Sequence, residues 1–206
     1  MGISAVILAG GFASRFGQDK GLIRLANKPL IKHVLDKIDP VADEKLVVVS
    51  SRQQAEGYTK IVSSDVKVVV DLEEKHGPLV GALTGFSEAY AEYSLLLPCD
   101  TPFLSDDVLS LMLDLCTDRN AVIPRWPNCY IEPLHAVYRT KVALEAAENV
   151  LKEGEMNMQS MVDRLRSVRY VSTLVLQQLD PELRTFFNVN TPLDLKKAEA
   201  MLKRSK

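Results

Sequence analysis

The sequence predicts a single α/β domain built on a mostly parallel, open, Rossmann-like sheet with helices on both faces. Three observations carry that prediction. The apolar runs at residues 5–9, 46–49, 66–70 and 95–97 are nearly continuous rather than alternating, as strands covered on both faces must be. Helical patterns follow the first, third and fourth of them, and strand and helix alternate through the first 125 residues. The runs stop at Gly10, Asp71 and Asp100, and open sheets of this kind bind ligands beyond the carboxyl ends of their strands.

The first run ends in Gly10-Gly11 and a loop through Ser14, Arg15 and Gly17 to Lys20. Glycine lets backbone N–H groups approach an anion without a Cβ in the way, and successive N–H groups form an anion-binding concavity. Arg15 and Lys20 add a planar fork and a point charge for the same phosphates. A glycine pair at a strand end is, on its own, more often a turn than a phosphate site. No two glycines are spaced G-x-G and no Gly-Lys precedes Ser or Thr, so both common phosphate motifs are absent.

Residues 22–25 read as extended, and Asn27-Lys28-Pro29 as a turn into a helix. Leu30, Ile31, Val34, Leu35 and Ile38 form its apolar stripe, with His33 off the stripe as a solvated surface residue. A second helix, between Gly77 and Tyr93, carries Leu79, Leu83, Phe86, Tyr90 and Tyr93 at steps of four and three. Ser105 is an N-cap followed by Asp106 and Asp107 near the positive helix end. Residues 109–115 continue that helix and 121–123 form a strand. Further on, 133–138 and 168–171 read as strands, and 141–152 and 158–165 as helices. Asn188-Val189-Asn190 leads into Thr191-Pro192-Leu193-Asp194, a capping box with Asp in place of Glu, and a last helix to about Leu202.

Composition excludes several classes. A 206-residue chain, 47% hydrophobic and 25% charged, can bury a sizeable core. Its net charge of −2 argues against a nucleic-acid partner, and no apolar run reaches membrane-spanning length. Cys99, Cys116 and Cys129 lack metal-site spacing and fit reduced thiols in a cytoplasmic protein. Cys99 is better read as a small buried residue at a strand end than as a nucleophile. There is no G-x-S-x-G elbow and no metal-spaced pair among His33, His76 and His135.

Four places could carry chemistry, each beside a plainer reading. Asp100 can supply the carboxylate of a Mg²⁺ site completed by substrate phosphates and waters, or can cap a turn beside Pro102. Asp71 can hold a base or ribose, or mark a strand end. Gly77 and Gly81 can present a helix N-terminus to a nucleotide, or permit close packing on the sheet. Asn188 and Asn190, two apart on an extended segment, point to one side and suit a ligand or metal, or a turn before the capped helix.

The spacing L-A-G-G-x-x-S-R-F-G-x-D-K resembles the signature loop of nucleotidyltransferases with a glycosyltransferase-A-like fold, the nucleotide-diphospho-sugar transferase type. Together with Gly77-Pro78-Leu79-Val80-Gly81, Pro98-Cys99-Asp100-Thr101-Pro102 and Asn188-Val189-Asn190-Thr191-Pro192, it most resembles molybdenum cofactor guanylyltransferases over nearly the whole chain. That resemblance implies transfer of GMP from GTP to the terminal phosphate of molybdopterin-bound molybdenum, with Mg²⁺ and release of pyrophosphate. It implies that Leu8, Ala9, Gly10 and Gly11 contact GTP, the second glycine going with guanine, and that Asp71 lies on the nucleoside side. Lys20 and Arg15 would act on the phosphates, Asp100 would bind magnesium, and Asn188 and Asn190 would serve the pterin or complete the metal site. It implies a nucleotide-binding half at 1–125, an acceptor-side half at 126–206, and oxidoreductases that receive the product. Ser50-Ser51-Arg52 departs from the family, which often has a nucleotide-binding asparagine there, and residues 132–136 match a family contact region loosely. Two other readings stand beside it: a nucleotidyltransferase using another NTP or phosphorylated acceptor, and a non-catalytic nucleotide-binding adaptor.

Overall fold

A computed structural model describes residues 2–13, 16–71 and 77–204. In chain order the first elements are β1 (Ile3–Leu8), β2 (Phe12–Ala13), β3 (Gln18–Asp19), β4 (Arg24–Leu25), β5 (Lys28–Pro29) and α1 (Leu30–Ile38). Then come β6 (Glu44–Val49), α2 (Arg52–Thr59), β7 (Val66–Val70), α3 (Pro78–Glu88), β8 (Tyr93–Pro98) and α4 (Asp106–Asp114). The last are β9 (Ala121–Arg125), β10 (Ala136–Arg139), α5 (Thr140–Lys152), α6 (Met158–Arg164), β11 (Val168–Ser172), α7 (Thr173–Leu176) and α8 (Pro192–Arg204). Seven strands form one sheet in the order β11-β9-β10-β8-β1-β6-β7. Every neighbouring pair is parallel except the two made by β10, which runs antiparallel to β8 and β9.

The continuous apolar runs are explained by two cores, one on each face. Ile3, Ala5 and Ile7 of β1, Val47 and Val49 of β6 and Leu95 and Leu97 of β8 pack with α1, α2 and α4. The intervening Val6, Leu46, Val48 and Leu96 face α3, α5 and α6 instead. Successive side chains of a strand point to opposite faces, so a strand between two helical layers is apolar at every position. Leu195 and Ala198 of α8 pack in a third, smaller cluster with Ile23, Leu25 and Leu30, which ties the end of the chain to the segment following Lys20.

Most elements appear within a few residues of their expected places. Ser105 Oγ accepts from the Val108 N–H, and Thr191 and Asp194 cap each other's N–H groups at 2.9 and 3.2 Å. Other expectations are corrected. α3 stops at Glu88, because the aromatic spacing that extended it belongs to two other environments: Tyr90 is exposed and Tyr93 opens β8 in register with Ile3. The turn into α1 is a tight β4–β5 hairpin whose central Ala26 and Asn27 both have positive φ, leaving Pro29 as the N-cap. His33 is not a solvated residue. It is half-buried with Nε2 3.1 Å from the Leu25 carbonyl oxygen, so that nitrogen carries the proton, and burial lowers the ring's pKa. The strand expected from residue 133 starts only at Ala136, because Glu132 and His135 close a turn and the Tyr138 hydroxyl donates to the Pro133 carbonyl.

One packing contact sets a stability prediction. α3 lies so close to β1 that a Cβ at Gly85 would sit 2.2 Å from Val6 Cγ1 and 3.3 Å from its Cβ. Rotating Val6 cannot clear both, and Val6 is fully buried. Overpacking costs roughly 1–3 kcal/mol, while the helix propensity of alanine offsets about 1 kcal/mol. Gly85→Ala is therefore expected to lower unfolding stability by up to about 2 kcal/mol in urea titration, with no change in substrate affinity.

Candidate active-site cleft

The sheet's hydrogen bonding continues one residue past β1. The Ala9 N–H donates to the Val48 oxygen at 2.7 Å, and the Cys99 N–H donates to the Leu8 oxygen at 3.1 Å. Gly10 then leaves the sheet against β6: Ser50 Oγ donates to its carbonyl at 3.1 Å, and a Cβ there would lie only 2.1 Å from that oxygen. Glycine is needed here for close approach. The loop returns through β2 and β3, and the Lys20 N–H bonds to the Gly11 oxygen at 3.3 Å.

This return aims the Lys20 side chain across the strand ends. Its ammonium donates to Asp100 Oδ2 at 3.2 Å and to Asn190 Oδ1 at 2.7 Å. Asp100 is only 5% exposed, and its carbonyl accepts from the Val189 N–H at 2.9 Å, which fixes the 188–190 segment beside it. Residues 170 positions apart in the chain thus meet at one cation.

These groups open on a cleft of about 590 Å³, within the range of small-molecule sites. Leu8, Gly10, Gly11, Lys20, Asp71, Asp100, Asn188 and Asn190 all line it. Ala9 is fully buried and does not line the cleft, its N–H and carbonyl being taken by Val48 and Tyr58, and Arg15 lies outside the described residues. Asp71, at the end of β7, reaches the cleft beside α3, with Oδ1 3.8 Å from where a Gly81 Cβ would be. Gly81 itself packs closely, since that Cβ would be 3.2 Å from Leu8 Cδ2, and both Gly77 and Gly81 line the cleft. Cys99 is buried beside Asp100, and burial first, then the carboxylate, pushes its thiol up. A thiol held protonated in this way is a packing residue.

The opposite wall was only partly legible. It is formed by Tyr130, Glu132, Leu134, His135 and Met158, from the β9–β10 connection and the start of α6. The Trp126 indole N–H donates to Glu132 Oε1 at 2.7 Å, and burial lifts the Glu132 carboxyl above its usual range against that bond. The His135 ring meets Phe186 edge-on at 5.2 Å, and neither ring nitrogen has a hydrogen-bond partner among the described residues. Glu132 Oε2 stands 3.9 Å from Nδ1. No local motif marks Tyr130 or Met158, because tertiary packing alone brings them to the cleft.

Burial lowers the His135 pKa to about 3. The unfolded chain, with an ordinary histidine near 6.5, binds more protons between those values, so stability falls as pH drops through that window. His33 acts in the same direction, whereas Glu132, raised above the ordinary carboxylate value of 4.5, gives stability that is lost as pH rises through its folded pKa. Urea midpoints are expected to fall between about pH 7.5 and 5.5, and His135→Leu to shrink that difference. An undiminished difference in the variant would contradict the assignment to His135.

Among the described residues no group of three or more His, Cys, Asp or Glu side chains could hold a metal, and no helix is long and apolar enough to cross a membrane. The strand ends of the sheet thus gather a glycine loop, a lysine and a carboxylate, an arrangement suited to an NTP transferase domain. Residues 5–169 match the MobA-like NTP transferase domain, and the chain belongs to that family. A molybdenum cofactor guanylyltransferase from Desulfosudis oleivorans is 33% identical over 202 residues, covering 98% of this chain and 96% of that protein. A Methanosarcina mazei protein named "Probable molybdenum cofactor guanylyltransferase" is 32% identical over 197 residues, covering 93% of this chain and 88% of that one. The crystal structure of molybdopterin-guanine dinucleotide biosynthesis protein A from Archaeoglobus fulgidus superposes with a TM-score of 0.82 at 29% identity, covering 99% of this chain and 100% of that one.

Proposed function

We propose that this protein is a molybdenum cofactor guanylyltransferase: it transfers GMP from GTP to the terminal phosphate of molybdopterin carrying molybdenum and releases pyrophosphate. The observation that carries this reading is the convergence of Gly10, Lys20 and Asp100 on one cleft, in a chain of this family. An acceptor phosphate oxygen attacks the α-phosphorus of GTP in line. The new P–O bond forms as the bond to the bridging oxygen breaks, and pyrophosphate leaves with that electron pair. The attacking oxygen is already anionic, so no general base is required, and catalysis is positioning plus charge stabilisation.

The residues divide by wall. Leu8, Gly10 and Gly11 receive the donor, Ala9 holds them in place through its bonds to Val48 and Tyr58, and Asp71 holds the nucleoside. Lys20, with Arg15, stabilises the departing pyrophosphate. The 126–206 half receives the acceptor, with Asn188 on its side of the cleft. Asp100 Oδ2 and Asn190 Oδ1 already share one cation, the Lys20 ammonium, and are the hard oxygen donors that Mg²⁺ takes alongside substrate phosphates. Bound there, Mg²⁺ would supply Lewis-acid neutralisation of the phosphate charge. Lys20 would then be free to turn from Asp100 to the donor phosphates. The free cysteines suit a cytoplasmic enzyme, and its product would pass to cofactor-requiring oxidoreductases.

Pyrophosphate release measured with each of the four NTPs, Mg²⁺ and molybdenum cofactor tests the donor. GTP is expected to be preferred by at least about a hundredfold. Preference for CTP or UTP would favour a nucleotidyltransferase for another product. No release with any NTP would favour the nucleotide-binding adaptor.

A further inference from the structure

Helix α2 grips both ends of the phosphate loop, and one residue does so with a group its own helix does not need. Ser51 Oγ accepts from the Gln54 N–H at 3.2 Å, and Gln54 Oε1 accepts from the Ser50 N–H at 2.9 Å. These bonds cap α2, and a glutamate would make both. The remaining half of the carboxamide, Nε2, donates across the loop to Asp19 Oδ1 at 2.8 Å, the residue beside Lys20. Ser50, just before the helix, donates its hydroxyl to the Gly10 carbonyl.

Tyr58, one turn along α2, secures the same loop. It is fully buried, its hydroxyl donates to the Ala9 carbonyl at 3.4 Å, and a Cβ at Gly21 would lie 2.5 Å from that hydroxyl oxygen. The loop is therefore clamped before Gly10 and after Lys20, with Gln54 the polar bridge between α2 and Asp19.

The geometry points to Gln54 as a positioning residue for the donor phosphates, acting through Asp19 and the Lys20 backbone and touching no substrate itself. Lys20 carries its charge on a flexible stem, so the aim of the ammonium depends on where its backbone is held. A displacement of about 1 Å in a phosphate-positioning group can cost about a hundredfold in rate. The inference rests on the donor-side reading above.

The test uses the full chain and titration calorimetry with GTP. Gln54→Glu keeps the acceptor for the Ser50 N–H but sets a second carboxylate against Asp19. It is expected to weaken GTP binding about tenfold while the thermal midpoint stays within a few degrees of wild type. Adding Asp19→Asn reverses donor and acceptor across the same gap, and affinity is expected to return to within about threefold of wild type. Wild-type affinity in Gln54→Glu, or a double variant no better than Gln54→Glu alone, overturns the inference. So does a parallel loss of affinity and thermal midpoint, which marks a cap and nothing more. If the unaltered chain prefers another NTP, the donor reading alone fails, and the same variants test Gln54 with that nucleotide.

Discussion

Asp100→Asn is expected to lower kcat by about a thousandfold while the protein stays folded. The variant keeps the shape of the side chain and the Val189 N–H bond to the backbone carbonyl of residue 100. It removes the carboxylate that meets Lys20, and with it the anionic ligand proposed for magnesium. The structural cost is small, because the Lys20 side chain remains 30% exposed and keeps Asn190 as a partner. Steady-state pyrophosphate release alongside circular dichroism and thermal melting separates the two effects. Turnover close to wild type would remove Asp100 from the mechanism, and a collapsed melting transition would mark it as structural.

Lys20→Met is expected to lower kcat/KM for GTP by about a hundredfold or more, with KM raised as well as kcat reduced. Methionine retains an unbranched apolar stem but no charge for the donor phosphates. The change also leaves Asp100, a buried carboxylate, without its cation. Full burial would make such a loss cost about 3–5 kcal/mol, and water reaching the Lys20 side reduces it to about 1–2 kcal/mol. Lys20→Arg tests geometry against charge: it restores the cation and the stability, but a planar fork cannot reproduce a point charge aimed between Asp100 Oδ2 and Asn190 Oδ1. Partial recovery of stability without recovery of kcat is the expected pattern. Unchanged kcat/KM in Lys20→Met would contradict the donor-side assignment.

What the sequence revealed, and what it hid, follows from where the physical signal resides. Strands β1, β6, β7 and β8 were legible because burial between two layers writes itself as an apolar run. The capping pairs at Ser105 and at Thr191 with Asp194 were legible because they are local. Helix α2 was not foreseen: Tyr58 is its one fully buried side chain, so apolar periodicity has nothing to report. Its signal was polar, the Ser51-x-x-Gln54 capping spacing. The 90–93 stretch misled for the opposite reason, since aromatic spacing imitated a helix where the chain enters a strand.

The cleft divides in the same way. Gly10, Asp71 and Asp100 could be set at strand ends from the sequence, and the structure brings them to one opening. The antiparallel direction of β10, the far wall at Tyr130 and Met158, and the meeting of Lys20 with Asn190 depend on tertiary packing that no local pattern encodes. The Asn188 and Asn190 segment was marked by its two-residue alternation and by the resemblance; the Lys20 contact to Asn190 gives it a physical reason.

The central claim is that this cleft joins GMP to a molybdenum cofactor. The most direct measurement follows GTP labelled at the α-phosphate, incubated with the purified protein, Mg²⁺ and molybdenum cofactor, and identifies the labelled product by chromatography and mass. The account predicts label in a guanine dinucleotide form of the cofactor, with one pyrophosphate released per label transferred. Label that stays in GTP, or pyrophosphate released without transfer to the cofactor, would contradict it.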